Sequence, residues 1–294
     1  MLFSVFTPTY NRADLIGRVF DSLCAQTFRD FEWIIIDDGS IDDTARVIAA
    51  MRDRADFPIM YKARENRGKV QSVNEGLDMA RGELFICFDS DDWCTSDALE
   101  RIAEVWNGLP AEHRDRYSGI SCLKKYTNGQ IVGEDYSRMK IYGESYIDRF
   151  NRRIIGDKWE ILRTDLHKAS RYDVHADEKY MSPEYAWLMI GQLHDTIFLN
   201  EALSIVEYQN DGISRNNLRH RLSSPVSMTR FYYLAWQVSR PWKMKIRSAM
   251  NYARFSFHAG IKSDLPWMTR HLTALPGWLF HRLDIARNRS RSRF

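Results

Sequence analysis

Cysteine is scarce in this chain: among 294 residues there are four, Cys24, Cys87, Cys94 and Cys122. None forms a C-x-x-C pair, which argues against a zinc site and against a small disulfide-stapled domain. Long apolar runs are missing too, and no window approaches the ~18 residues of a membrane span. The opening MLFSVF lacks a basic n-region and turns polar within a few residues, so it does not read as a signal peptide. No G-x-x-x-x-G-K-[ST] loop occurs, and no G-x-G-x-x-G follows the first apolar run. Phosphates are therefore not cradled in P-loop or dinucleotide fashion. These absences set a cytoplasmic, reducing setting as the expectation. What remains is bulk: 44% hydrophobic, 13% aromatic and 28% charged residues suit a sizeable core and exclude a disordered or fibrous chain.

Acidic residues nearly vanish from the last quarter. From Leu218 onward there are fifteen Lys and Arg against Asp264 and Asp284, a balance of +13, so a net charge of +3 leaves −10 for the rest. Such a split suggests a partner surface on the basic part. Trp236, Trp242, Trp267 and Trp278 lie among its arginines, a mixture used by interfacial membrane helices. An anionic membrane surface is therefore one expected partner, and a solvated basic face over a helical subdomain is the plain alternative. Nucleic acid is not expected, because no nucleic-acid-binding motif accompanies the charge. The closing RNRSRSRF reads as disordered.

The first ~106 residues alternate strand and helix patterns. Apolar runs at Leu2 to Phe6, Trp33 to Ile36, Ile59 to Tyr61 and Leu84 to Phe88 predict four strands. Helical periods span Arg12 to Ala25, Ile41 to Met51, Gly68 to Ala80 and Ser96 to Trp106. Runs without alternation belong to strands covered on both faces, which predicts an α/β fold with an open, mostly parallel, Rossmann-like sheet. Ligands of such sheets sit beyond the carboxyl ends of the strands. Those ends carry the polar clusters Thr7 to Asn11, Asp37 to Ser40 and Asp89 to Asp92. Further on, Asn128-Gly129 predicts a hairpin between Ile120 to Lys125 and Gln130 to Val132. Ser182-Pro183-Glu184 starts a helix reaching Leu193, and Thr196 to Leu199 and Leu203 to Tyr208 read as two strands. From Leu218 on the pattern is helical, broken at Pro225, Pro241, Pro266 and Pro276. The expected domains are 1–217, with halves meeting near 106, and 218–294.

Crowded carboxylates such as Asp89-Ser90-Asp91-Asp92 repel one another unless a cation neutralises them. Hard oxygen ligands suit Mg²⁺ or Mn²⁺, and an ion held by one or two carboxylates commonly binds a substrate's phosphates. The plain alternative is a solvated loop and helix cap.

Taken together, Thr7-Pro8-Thr9-Tyr10-Asn11-Arg12, Asp37-Asp38-Gly39-Ser40 with Asp42-Asp43-Thr44, Asn66-Arg67-Gly68-Lys69 with Asn74 and Gly76, Ala80-Arg81-Gly82 and Asp89-Ser90-Asp91-Asp92 resemble a family 2 glycosyltransferase of the GT-A fold in order and spacing. A second block, Gly156 to Glu160 through Glu178-Lys179-Tyr180 and Pro183-Glu184 to Glu207 through Ser214, is similar to the acceptor half of bacterial surface-polysaccharide members. The resemblance implies an inverting, metal-dependent transfer of one sugar from a nucleotide-diphosphate sugar donor, a UDP-sugar, to a glycan or lipid-linked acceptor. It places Pro8 and Tyr10 against uracil and ribose, Asp38 at the uracil imide, Asp89 near the ribose and Lys69 at a phosphate. Asp91 would hold Mn²⁺ or Mg²⁺ with Asp92 close by, and Glu184 aligns with the catalytic carboxylate. Asp157, Glu160 and Glu178 are rival bases. Many relatives offer a late His to the metal; the matching stretch here, Tyr208 to Gly212, has none, which leaves Asp211 or water. No Q-x-x-R-W motif of processive synthases occurs, so single-sugar transfer is expected. A sugar-phosphate nucleotidyltransferase and a non-catalytic nucleotide-sugar binder are the alternatives. His113, His167, His175 and His194 read as packing or surface residues, Cys87 as inert core, and Cys94 as packing rather than a nucleophile.

Overall fold

A computed structural model describes residues 1–207 and 217–291, without the side chains of 217 and 288–291. The described residues fall into two compact units. The first holds Met1–Arg171 and the stretch from Ile190; the second holds Tyr172–Met189 and the C-terminal helices.

The first unit starts with strictly alternating strands and helices: β1 (Phe3–Thr9), α1 (Ile16–Cys24), β2 (Phe31–Asp37), α2 (Thr44–Arg52), β3 (Ile59–Ala63), α3 (Lys69–Met79) and β4 (Leu84–Cys87). Then come β5 (Trp93–Cys94), α4 (Ala98–Asn107), α5 (Ala111–Arg114), β6 (Tyr117–Tyr126), α6 (Tyr146–Arg152), β7 (Lys158–Arg163) and α7 (Thr164–Ala169). After α8 (Glu184–Ile190) the chain returns as β8 (Asp195–Val206). One sheet of eight strands results, in the order β3-β2-β1-β4-β7-β6-β8-β5.

β1, β2, β3 and β4 pair in parallel, as predicted, and β6 pairs in parallel with β8. β7 runs antiparallel to both β4 and β6, and β5 antiparallel to β8. Both faces of the parallel half are covered. Phe3, Val5, Trp33, Ile35, Leu84 and Ile86 share a core with residues of α1, α2 and α4. On the opposite face Phe6 stacks on Phe85 at 5.3 Å, beneath Gly76 of α3, and His167 of α7 meets Phe85 edge-on.

Proline in the central β1 looks out of place, since it cannot donate to a ladder. Its register removes the conflict. The pairing with β4 ends at Phe6 and Cys87, so the Pro8 nitrogen points where no β4 partner remains.

Several expectations change in detail. The Asn128-Gly129 turn forms, but its second arm makes a single bridge, Lys125 with Ile131, before leaving the sheet. The two strands expected after Thr196 are one twelve-residue strand, β8. In the second unit, α9 (Asn217–Leu222) starts one residue before the expected helical region, and α10 (Pro225–Val238) and α11 (Trp242–Ala259) start at or just after predicted breaks, with Pro225 opening α10 and Pro241 capping α11. α12 (Trp267–Arg291) instead runs through Pro276 and into the segment expected to be disordered, of which 292–294 lie outside the described residues. Proline costs that helix one backbone bond. The packing of Gly277 and Asp284 onto α11 holds it helical nonetheless.

Candidate active site

Three parallel strands, β2, β1 and β4, end side by side, and their exits are tied together. The Asp38 N–H donates to the Thr9 carbonyl at 2.8 Å, and that of Phe88 to Phe6 at 2.8 Å. Beyond β1 the backbone turns through Asn11, whose φ of 51° is left-handed and suits asparagine better than most residues. The Asn11 N–H donates to Ser40 Oγ at 2.8 Å, and the Ile41 N–H donates to Asn11 Oδ1 at 2.9 Å. Gly39 sits at φ 88°, with Asn66 N only 3.0 Å from where a Cβ would stand, so two loops meet there in a space only glycine leaves.

Asp38 is buried at this junction. Its carboxylate accepts the N–H of Arg67 at 2.9 Å and of Gly68 at 2.7 Å, and pairs with the buried Arg64 guanidinium at 2.7 Å. The predicted nucleotide contact is therefore also the anchor of the loop leading into α3. A carboxylate has about four acceptor sites, so about one stays available to a ligand. Pro8 is half-buried in β1, and the Tyr10 ring lies exposed just beyond it.

A single turn after β4, closed by Asp92 N–H to Asp89 carbonyl at 3.1 Å, gathers the acidic cluster. Lys69, the first residue of α3, reaches Asp89 Oδ1 at 2.5 Å. Burial works against the charged Asp89, but Lys69 and then Lys124 outweigh it and hold its pKa below the ordinary range. Lys124, at the end of β6, is buried and bridges Asp92 at 2.9 Å and Asp157 at 3.1 Å. Even so, burial and the neighbouring Asp89 push the Asp92 carboxyl up to about 7. Burial and Asp89 likewise raise Asp91, whose carboxylate ion-pairs with no described residue.

Two carboxylates whose charged forms are disfavoured, Asp91 only partly offset by the more distant Lys69 and Arg12, make a place where a cation would be welcome. Among the described residues no group of three or more His, Cys, Asp or Glu is assembled for a metal. Asp91 and Asp92 are carboxylate donors of the kind that hold an ion whose shell phosphates and water complete. Asp211, the expected further ligand, lies outside the described residues.

The structure brings Pro8, Tyr10, Asp38, Lys69, Asp89, Asp91 and Asp92 to the carboxyl ends of the parallel strands. Glu184 belongs to the other unit, where it opens α8, half-buried, near enough to Tyr180 and Arg221 to bias the charge of both. Two rival bases are engaged elsewhere. Glu160 is buried against Arg149 at 2.5 Å, and Glu178 accepts the N–H groups of Val226 and Ser227 at the start of α10. Asp157 stays half exposed beside Lys124. Lys124 and Arg64 escaped the sequence reading: each is one basic residue among several, and nothing in the pattern marks which turns inward. Cys94 is packed against Gln26 at 3.3 Å, its thiol pushed up to about 12 by burial, and the Cys87 thiol also reaches about 12 by burial. Both are inert.

The profile of the glycosyl transferase family 2 domain matches residues 4–171, more than half of the chain. The chain belongs to glycosyl transferase family 2. A GalNAc(5)-diNAcBac-PP-undecaprenol beta-1,3-glucosyltransferase of Campylobacter jejuni is 30% identical over 195 residues, covering 58% of this chain and 62% of the relative. With three other curated relatives the match spans about a third of the relative's length. Among solved structures, S. aureus TarS 1-349 in complex with UDP-GlcNAc overlays with a TM-score of 0.59 at 20% identity, covering 87% of this chain and 81% of that one. The mannosyltransferase PcManGT from Pyrobaculum calidifontis in complex with GDP-Man and Mn2+ overlays at 0.57 with 16% identity, covering 96% and 87%. These overlays show the GT-A fold.

Proposed function

We propose that this glycosyltransferase moves one sugar from a UDP-sugar to a glycan or lipid-linked acceptor, with inversion, in bacterial surface-polysaccharide synthesis. The observation that carries the reading is the gathering of the β1, β2 and β4 exits around Asp38, Lys69 and the Asp89–Asp92 turn. It is supported by the nucleotide sugars named in the TarS and PcManGT complexes and by the polyprenyl diphosphate in the name of the Campylobacter relative.

In this reading Pro8 and Tyr10 form the wall for uracil and ribose, and Asp38 offers its remaining acceptor site to the base. Lys69 has two ammonium protons beyond the one given to Asp89, enough to reach a phosphate. Asp91, with Asp92, would hold Mn²⁺ or Mg²⁺, which supplies charge neutralisation for the departing diphosphate. Glu184 takes the proton of the acceptor hydroxyl. Glu184 stands in the first turn of α8. One displacement inverts the anomeric centre, so no second carboxylate nucleophile is required.

Asp157 is the second candidate base, because Lys124 ties it to Asp92. A lipid-linked acceptor would bring the reaction to the cytoplasmic face of a membrane. The test is product analysis: the full chain is incubated with a panel of UDP-sugars, Mn²⁺ and polyprenyl-diphosphate saccharides, and products are read by mass spectrometry. Addition of one hexose or N-acetylhexosamine with release of UDP supports the proposal. Release of pyrophosphate in a parallel reaction given UTP and a sugar 1-phosphate would reveal a nucleotidyltransferase, and UDP binding without turnover a non-catalytic binder.

A further inference from the structure

The last helix is built the wrong way round for water. In α12 each residue advances about 100° around the axis, so Met268, Leu272, Leu275, Leu279 and Leu283 fall within an arc of about 80°. All five are exposed, Leu272 at 71%, Met268 at 67% and Leu275 at 65%. The opposite side of the helix carries its buried groups, and they are small or polar. Gly277 lies so close to α11 that a Cβ would stand 2.6 Å from Ala253 Cβ. Asp284 is buried there, accepting two bonds from Arg254 at 2.6 and 2.5 Å and standing 3.0 Å from His258. A helix packed only for solubility would bury its leucines and expose the ion pair.

Charge identifies what covers the leucine face. Asp284 is the one acidic residue of α12, and it is spent inside the helix pair. Arg270, His271, Arg282 and Arg287 are exposed, and Arg282 and His271 border the leucine arc. α11 contains no acidic residue and exposes Lys243, Lys245 and Arg247. Beyond residue 217 the one exposed acid among the described residues is Asp264. Trp267 and Trp278 lie along α12 with exposed rings, as at a lipid–water boundary. No described helix is long and apolar enough to cross a membrane.

We propose that α12 lies flat on an anionic phospholipid surface, its leucines among the acyl chains and its arginines at the headgroups. The proposal deepens the reading of a lipid-linked acceptor and rests on it only for its purpose, since the docking itself needs no catalysis.

The experiment is vesicle flotation of the full chain with phosphatidylcholine alone and with phosphatidylcholine containing about one third phosphatidylglycerol. The expected result is binding at least about tenfold stronger to the anionic vesicles, weakened by salt, and lost in the triple variant Leu272→Glu, Leu275→Glu, Leu279→Glu. Those side chains are exposed, so circular dichroism of the variant should match the parent. Asp91→Ala should float like the parent, so a failed glycosyl-transfer assay and a failed docking proposal give different patterns. No binding by the intact chain, or equal binding by the triple variant, would overturn the proposal. So would sedimentation velocity showing a dimer that the triple variant dissolves, because the face would then belong to a second copy.

Discussion

Asp38 shows at the scale of one residue how fold and site share a side chain. It neutralises the buried Arg64 and fixes two backbone N–H groups ahead of α3. Asp38→Ala leaves Glu75, at 2.7 Å, as the remaining carboxylate on Arg64 beside the neutral Gly68 carbonyl and Ser72 hydroxyl, so the expected loss is about 2–4 kcal/mol, read as a lower urea midpoint. Weaker UDP binding should accompany it. The choice of base is also a single-residue question. Glu184→Gln should cut transfer about a hundredfold or more at unchanged UDP affinity, while Asp157→Asn should leave most of the rate. The reverse ranking would move the role to Asp157. The acidic positions were legible in the sequence because each follows an apolar strand. Their partners were not: Lys124 stands beside Lys125, and only the sheet decides that the first of them turns in to meet Asp92 and Asp157.

At the scale of elements, β1 to β4 were legible because continuous apolar runs ended in polar clusters. β7 was not, since its run Lys158–Arg163 buries Lys158 and Glu160 and so breaks the apolar pattern. Arg149 from α6 pairs with that glutamate, and the Lys158 ammonium donates to the Val132 carbonyl at 3.0 Å, contacts that a strand pattern does not encode. β8 was read as two strands because the polar Asn200-Glu201 interrupts its apolar run, whereas register shifts against β6 absorb the irregularity. Two predictions belong here. A Cβ on Gly76 would stand 2.3 Å from the Phe6 ring, so Gly76→Ala should destabilise by about 1–3 kcal/mol despite alanine's better helix propensity. Asp284 pins α12 to α11. Burial alone would raise its pKa, but its bonds to Arg254 and His258 prevail and the carboxyl lies below its ordinary range. A lowered folded-state pKa means that its contribution is complete above the ordinary carboxylate value and fades as pH falls through the lowered one. Asp284→Asn should therefore speed amide exchange in α11 and α12 at neutral pH, by about 2–3 kcal/mol of lost protection, with the difference from the parent closing in acid.

The whole molecule joins two units of opposite character. The acidic part of the chain holds the strand exits and their carboxylates, and the basic part ends in helices that turn leucine and arginine outward. The charge asymmetry was visible in the sequence; the grouping of Tyr172–Met189 with the C-terminal helices was not. The sugar donor and acceptor were not, because selectivity depends on the shape of a site that composition and spacing do not describe. The central claim is that the carboxylates after β4 hold a cation that binds the diphosphate of a sugar nucleotide. Calorimetric titration of UDP into the full chain, with and without Mn²⁺, tests it most directly. The account predicts that Mn²⁺ strengthens UDP binding by about tenfold or more and that Asp91→Ala abolishes the gain while metal-free binding persists. Equal UDP affinity with and without Mn²⁺, or a gain that survives Asp91→Ala, would contradict it.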